Sequence, residues 1–170
     1  MLKADGWLGL AIALGGFAGP RSGEVRALEV RDIDFDNQRI MVTRAMSENT
    51  LSTTKSGHER TVDLVPALAE RLAIAVAGKA STDRIVVLET GRTPTRQELL
   101  GRFKTFLRRA KLQERSFHSL RHFFVSEMVR KGASVEAVRE LAGHTSLVVT
   151  QRYAHANEDD RRAAVNKLAP

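Results

Sequence analysis

Apolar positions along this chain fall into two periods, and the switches between them divide its 170 residues into helical and extended stretches. The run Trp7-Leu8-Gly9-Leu10-Ala11-Ile12-Ala13-Leu14 is apolar nearly all round and predicts a mostly buried helix over 4–17, ending at Gly15-Gly16 or just beyond. Ser22 to Leu28 fits a short helix with Val25 and Leu28 inward. The period then changes. Val30, Ile33 and Phe35, followed by Ile40-Met41-Val42-Thr43, predict two strands joined by a turn at Asp36-Asn37-Gln38. Arg60-Thr61-Val62-Asp63-Leu64 predicts a third strand, and the polar stretch 49–59, carrying Lys55-Ser56-Gly57, reads as a hairpin connection. Pro66 suits the first turn of a helix over 66–77 with Leu68, Leu72 and Ile74 among its buried residues.

For Ile85-Val86-Val87-Leu88, periodicity leaves a strand and a buried irregular segment both open. Thr95 to Ala110 predicts a helix with Leu99, Leu100, Phe103, Phe106 and Leu107 inward and Arg102, Lys104, Arg108 and Arg109 outward. A further helix runs from Ser116 to Lys131-Gly132, with Leu120, Phe124 and Met128 as its apolar stripe. Ser134 caps the next, which keeps Val135, Val138, Leu141 and Ala142 inward and stops at Gly143. Thr145-Ser146 opens a helix carrying Thr150 and Tyr153, and Arg161 to Leu168 closes the chain.

Composition narrows the class. The length suits one domain spanning 1–170 with a real core, and no linker or repeat divides it. With no cysteine, disulfides and thiolate metal sites are excluded, and a reducing compartment fits. A net charge of +7 points to a polyanionic partner, nucleic acid foremost. Met1-Leu2-Lys3 before the first apolar run imitates a signal peptide. Asp5 interrupts its charged start, no cleavage site follows, and the run is too short to span a bilayer, so a buried first helix is expected and no membrane partner.

The chain's single tyrosine, Tyr153, follows a set of cationic and imidazole side chains. A phenol has a pKa of about 10, so forming the phenolate at neutral pH costs roughly 4 kcal/mol, which a proton acceptor or cationic surroundings must share. A phosphoryl transition state concentrates charge on two non-bridging oxygens, which the planar arginine fork meets with parallel hydrogen bonds. The leaving oxygen needs a proton, and a lysine on a loop suits that task. The sequence offers Arg21 at a helix start, Lys55 in the hairpin connection, His118 and Arg121 on one helix face, and His144 after the Gly143 stop. With arginines to neutralise the phosphate, the scheme calls for no metal and no cofactor.

In order and spacing these residues resemble the tyrosine recombinase (phage integrase) family. The matching segments are Gly19-Pro20-Arg21-Ser22-Gly23-Glu24-Val25, Thr54-Lys55-Ser56-Gly57, the pair His118 and Arg121, Leu141-Ala142-Gly143-His144, and Tyr153. The resemblance spans about residues 5 to 160 and implies an α+β, mostly helical catalytic domain with a small antiparallel sheet of about three strands. It implies site-specific cleavage and rejoining of DNA without ATP or metal. Tyr153 attacks to form a 3′-phosphotyrosyl link, Arg21, Arg121 and His144 hold the phosphate, Lys55 protonates the leaving oxygen, and His118 assists the tyrosine proton. Glu24 corresponds to a buried acid that holds the cluster together. The implied partner is double-stranded DNA, engaged by a tetramer at synapsis, with a monomer as the alternative for the chain alone. The implied setting is the cytoplasm and nucleoid of a bacterium, or a phage or mobile element. Members usually carry an additional N-terminal helical domain, and this chain starts directly at the catalytic domain.

Each residue has a plainer reading when taken singly. Tyr153 fits a half-buried helix tyrosine, Arg21 and Glu24 a surface ion pair, and Arg102 and Lys104 a solvated face rather than a DNA-tracking one. His118 and His122 have zinc-ligand spacing, but no third ligand has matching spacing. A helix-turn-helix reader over 135–155 explains the charge but not the upstream residues, and a type IB topoisomerase-like relaxation keeps the tyrosine chemistry.

Overall fold

A computed structural model describes residues 6–47, 50–53 and 59–143. At its centre lies α1 (Gly6–Phe17), which buries Leu10, Ala11, Ala13 and Leu14 and packs against the helices that follow. Close approach explains Gly15, where a Cβ would lie 2.9 Å from Leu120 Cδ1 of α5 (His118–Arg130). Gly19 ends the segment with a positive φ of 71°, and Phe124 occupies the space a side chain would need. The chain then enters α2 (Ser22–Ala27) through Arg21, held extended at the N-cap.

A 3₁₀ turn (Val30–Asp32) leads into β1 (Ile33–Asp34), β2 (Arg39–Val42) and β5 (Arg60–Asp63), an antiparallel sheet in the order β1-β2-β5. Ile40 stands opposite Val62, and Val42 opposite Arg60. Alternation places Ile40, Val42 and Val62 in the core, with Arg60 on the same buried face. The expected small antiparallel sheet is present, but the segment before Lys55 is more ordered than a polar connection. Arg44–Ser47 (β3) and Thr50–Thr53 (β4) pair as a separate two-stranded hairpin laid over α2. Its residues show no inward apolar alternation because backbone pairing holds it. Gly23 permits the contact, since a Cβ there would lie 2.6 Å from the Met46 carbonyl oxygen.

Helix α3 (Pro66–Val76) buries Leu68, Ala69 and Leu72, whereas Ile74, expected inside, is 80% exposed. Two residues beyond Leu72 is a turn of about 200° around the helix, which places Ile74 on the opposite face. Ile85 and Val86 are buried without forming a strand, joined to the fold by the Ile85 amide donating to the Leu28 carbonyl. α4 (Arg96–Arg109) begins at a capping box in which Thr95 Oγ1 accepts from the Glu98 amide and Glu98 accepts from the Thr95 amide. It buries Leu99, Phe103 and Leu107. α5 inserts Phe124 and Val125, and α6 (Val135–Ala142) is capped by Ser134 and stopped by Gly143 in the left-handed conformation. The buried hydrophobic residues of all these elements form one core. The helices expected around Tyr153 and over 161–168 lie outside the described residues.

Candidate active site

Glu24 is the centre of the site, because its chemistry determines what surrounds it. The side chain is only 2% exposed, so an ionised carboxylate there requires both charge and hydrogen bonds in return. Arg60 supplies a two-pronged contact, Nη1 donating to Oε1 at 3.0 Å and Nη2 to Oε2 at 2.7 Å. From the other side the Arg21 amide donates to Oε2 at 2.7 Å, and Arg21 Nη1 to Oε1 at 3.0 Å. Burial pushes the Glu24 pKa up, but the hydrogen bonds and charge of Arg60, followed by those of Arg21, outweigh it and hold the pKa below its ordinary value. Glu24 is therefore a buried anion that aims Arg21. The Arg21 side chain remains 43% exposed, so its outer edge faces solvent.

That edge lines a cleft of about 560 Å³ between α2 and the β3–β4 hairpin, bordered by Ser22, Met46, Ser47 and Arg96. Arg121 approaches the same loop from α5. It is buried, donates from Nη1 to the Gly19 carbonyl at 2.9 Å and from Nη2 to the Ala142 carbonyl. One guanidinium thus ties the backbone leading into Arg21 to the end of α6. His118, on the first turn of α5, packs edge-on against His122 with ring centroids 4.7 Å apart. Its ring keeps an exposed surface, but desolvation by its neighbours first, then the positive fields of His122, Arg121 and Arg21, lower its pKa against the opposing pull of Glu24. A neutral imidazole able to accept a proton is the result.

Of the residues singled out in the sequence, Arg21, Glu24, His118 and Arg121 come together. Lys55, His144 and Tyr153 lie outside the described residues. Arg102 and Lys104 are exposed on α4, with neither in the cleft beside Glu24. Among the described residues no group of three or more His, Cys, Asp or Glu side chains is placed to hold a metal ion. The sequence reading did not find Arg60. Its signal was present: Arg60 shares the inward register of Val62 and Leu64, and a charge on the core face of a strand requires a buried partner.

Residues 6–160 match the sequence profile of the phage integrase family. The chain belongs to that family. Its relatives include the tyrosine recombinase XerC of Roseiflexus sp. (strain RS-1), 32% identical over 148 residues that cover 82% of this chain and 44% of that protein. Another is a tyrosine recombinase of Pseudothermotoga lettingae, 29% identical over 161 residues, covering 94% of this chain and 53% of the relative. The chain spans about half the length of the curated relatives it matches. The Tn1549 transposon integrase, solved with a circular intermediate DNA, superposes with a TM-score of 0.81 at 21% identity, covering 94% of this chain and 59% of that one. The catalytic domain of bacteriophage HP1 integrase gives a TM-score of 0.67 at 24% identity, over 93% of this chain and 80% of that domain. The fold is that of a tyrosine recombinase catalytic domain, mostly helical with its small antiparallel sheet.

Proposed function

We propose that this chain is the catalytic part of a site-specific DNA recombinase that cleaves and rejoins strands through a 3′-phosphotyrosyl bond to Tyr153. The observation that carries the reading is the Glu24 cluster. A buried anion directs one arginine into an open cleft, a second arginine is anchored to the same loop, and the fields of both lower the pKa of a histidine. A module that only bound DNA would have no use for a carboxylate buried to orient a single arginine.

In this scheme Arg21 and Arg121 neutralise the non-bridging oxygens of the scissile phosphate, with His144 as a further donor. His118 receives the Tyr153 proton as the phenolic oxygen forms its bond to phosphorus. The bond from phosphorus to the 5′ oxygen breaks, and Lys55 protonates that oxygen. The phosphotyrosyl link keeps the bond energy, so a 5′ hydroxyl of a partner strand can reverse the attack with neither ATP nor metal. The partner is double-stranded DNA, in keeping with the net charge of +7 and with the DNA bound to the Tn1549 integrase. Four protomers on two duplexes form the synapse, and the chain acts where the DNA lies, at the nucleoid.

The test is covalent capture. The chain is incubated with a pool of singly nicked duplexes of randomised sequence, in which the cleaved fragment diffuses away and traps the intermediate. An SDS-resistant, protease-sensitive shift is expected, lost in Tyr153→Phe with binding retained. An adduct undiminished in that variant would remove Tyr153 from the chemistry.

A further inference from the structure

We infer that Arg60 is a positioning residue of this active site, acting on Arg21 through Glu24 and seating the end of α6 through Gly143. The inference rests on the recombinase reading above.

Arg60 occupies a position where the strand pattern calls for an apolar side chain, between Val42 across the sheet and Val62 along its own strand. Its side chain is 5% exposed. Burying a guanidinium there is costly, the more so because its Nε has no hydrogen-bond partner among the described residues, and a well-packed apolar residue would serve the core at least as well. What Arg60 does instead is occupy both oxygens of Glu24 from below, while Arg21 uses the same two oxygens from the cleft side. With both oxygens pinned, the carboxylate cannot rotate, so the Arg21 guanidinium has one direction in which to project. The partners are 36 residues apart in sequence, so the clamp joins the sheet to the α2 entrance.

The stem of Arg60 has a second contact. Gly143, with φ of 61°, lies so close that a Cβ on it would be 2.8 Å from Arg60 Cδ. Gly143 ends α6 immediately before His144, and the preceding carbonyl, that of Ala142, accepts from Arg121. Arg60 therefore touches both the carboxylate that aims Arg21 and the backbone that leads into His144. It contacts no substrate atom in this scheme. Its contribution is alignment, and misplacement of a reacting group by about 1 Å can cost on the order of a hundredfold in rate.

The experiment follows adduct formation at saturating DNA in the full chain, using the nicked randomised pool, alongside the apparent Kd for that pool and a circular-dichroism melt. Arg60→Lys keeps the charge but loses the fork, and is expected to slow the adduct by about a hundredfold while leaving Kd within about twofold. In an Arg21→Ala background the same substitution should fall well short of multiplying the defect, because the side chain it aims is gone and the lysine stem keeps the Gly143 contact. The paired variant Glu24→Gln with Arg60→Met removes the buried charges together, which keeps the fold stable without the clamp. It should melt near the unsubstituted chain and still cleave slowly, and it carries the test where Arg60→Lys does not fold. A normal rate in either variant, or full multiplication with Arg21→Ala, overturns the role of Arg60 while the recombinase reading stands. Absence of any adduct from the unsubstituted chain overturns both.

Discussion

His118 shows how neighbours set the protonation of a single side chain. On its own an imidazole is half protonated near pH 6.5. Here desolvation by neighbouring side chains, followed by the positive fields of His122, Arg121 and Arg21, moves the equilibrium of this exposed ring toward the neutral form. The sign has a measurable consequence. The rate of adduct formation should hold down to a pH below 6.5 and decline only where His118 gains its proton, because a protonated imidazole cannot accept the phenol's. Removing the second-largest cause, in His122→Gln, should raise the His118 pKa toward its ordinary value, as followed by imidazole NMR titration, and move the acidic limb upward with it. An unmoved limb would assign it to another group. His118 and Arg121 were legible in the sequence because three residues on a helix fix their relation, as they do for Arg21 and Glu24. For Arg60 the inward register was readable but its partner was not, because that partner lies on another element and local spacing carries no information about pairing across 36 residues.

At the scale of elements, helix ends do most to place the site. α2 begins where Glu24 accepts the Arg21 amide, and α6 ends where Gly143 turns left-handed against Arg60. Both ends of α6 were readable from Ser134 and Gly143, and the helices from their apolar period. The β3–β4 hairpin was not, since its strands show no alternation and its reason for being there is α2 beneath it. Ile74 was misplaced for a related reason: an apolar side chain in a helix does not declare which face the core will cover. Two glycines separate the contributions at the helix ends. Gly132 and Gly143 both have positive φ, but a Cβ on Gly132 meets open space whereas one on Gly143 meets Arg60. Gly132→Ala should cost only the left-handed conformation, about 1–2 kcal/mol. Gly143→Ala should cost more than that in urea unfolding and should also slow adduct formation, which Gly132→Ala leaves alone. Equal costs with equal rates would mean that the Arg60 contact yields freely.

For the whole molecule, the proposed function raises the question of where the excess positive charge would meet DNA. Two arginines near the site add little charge to the surface: Arg60 is buried on Glu24, and Arg121 is buried and anchored by backbone carbonyls. The net charge of +7 must therefore act mainly through exposed residues. α4 is a good surface for this, because its inner face is locked into the core by Leu99, Phe103 and Leu107, leaving Arg102 and Lys104 exposed on a rigid frame. Rigid placement reduces the entropy lost on binding, so phosphates at matching spacing are favoured over a diffuse cloud of counterions. Each phosphate neutralised contributes about 0.9 to the slope of log K against log salt for duplex DNA. Arg102→Ala with Lys104→Ala should therefore flatten that slope by about 2 if both side chains meet phosphate, with little change in adduct rate once DNA is saturating. An unchanged slope would return both residues to the solvated face of the helix. Binding would then rest on other basic surfaces of the chain, and the proposed separation between a surface that holds DNA and a buried cluster that cuts it would have to be drawn elsewhere.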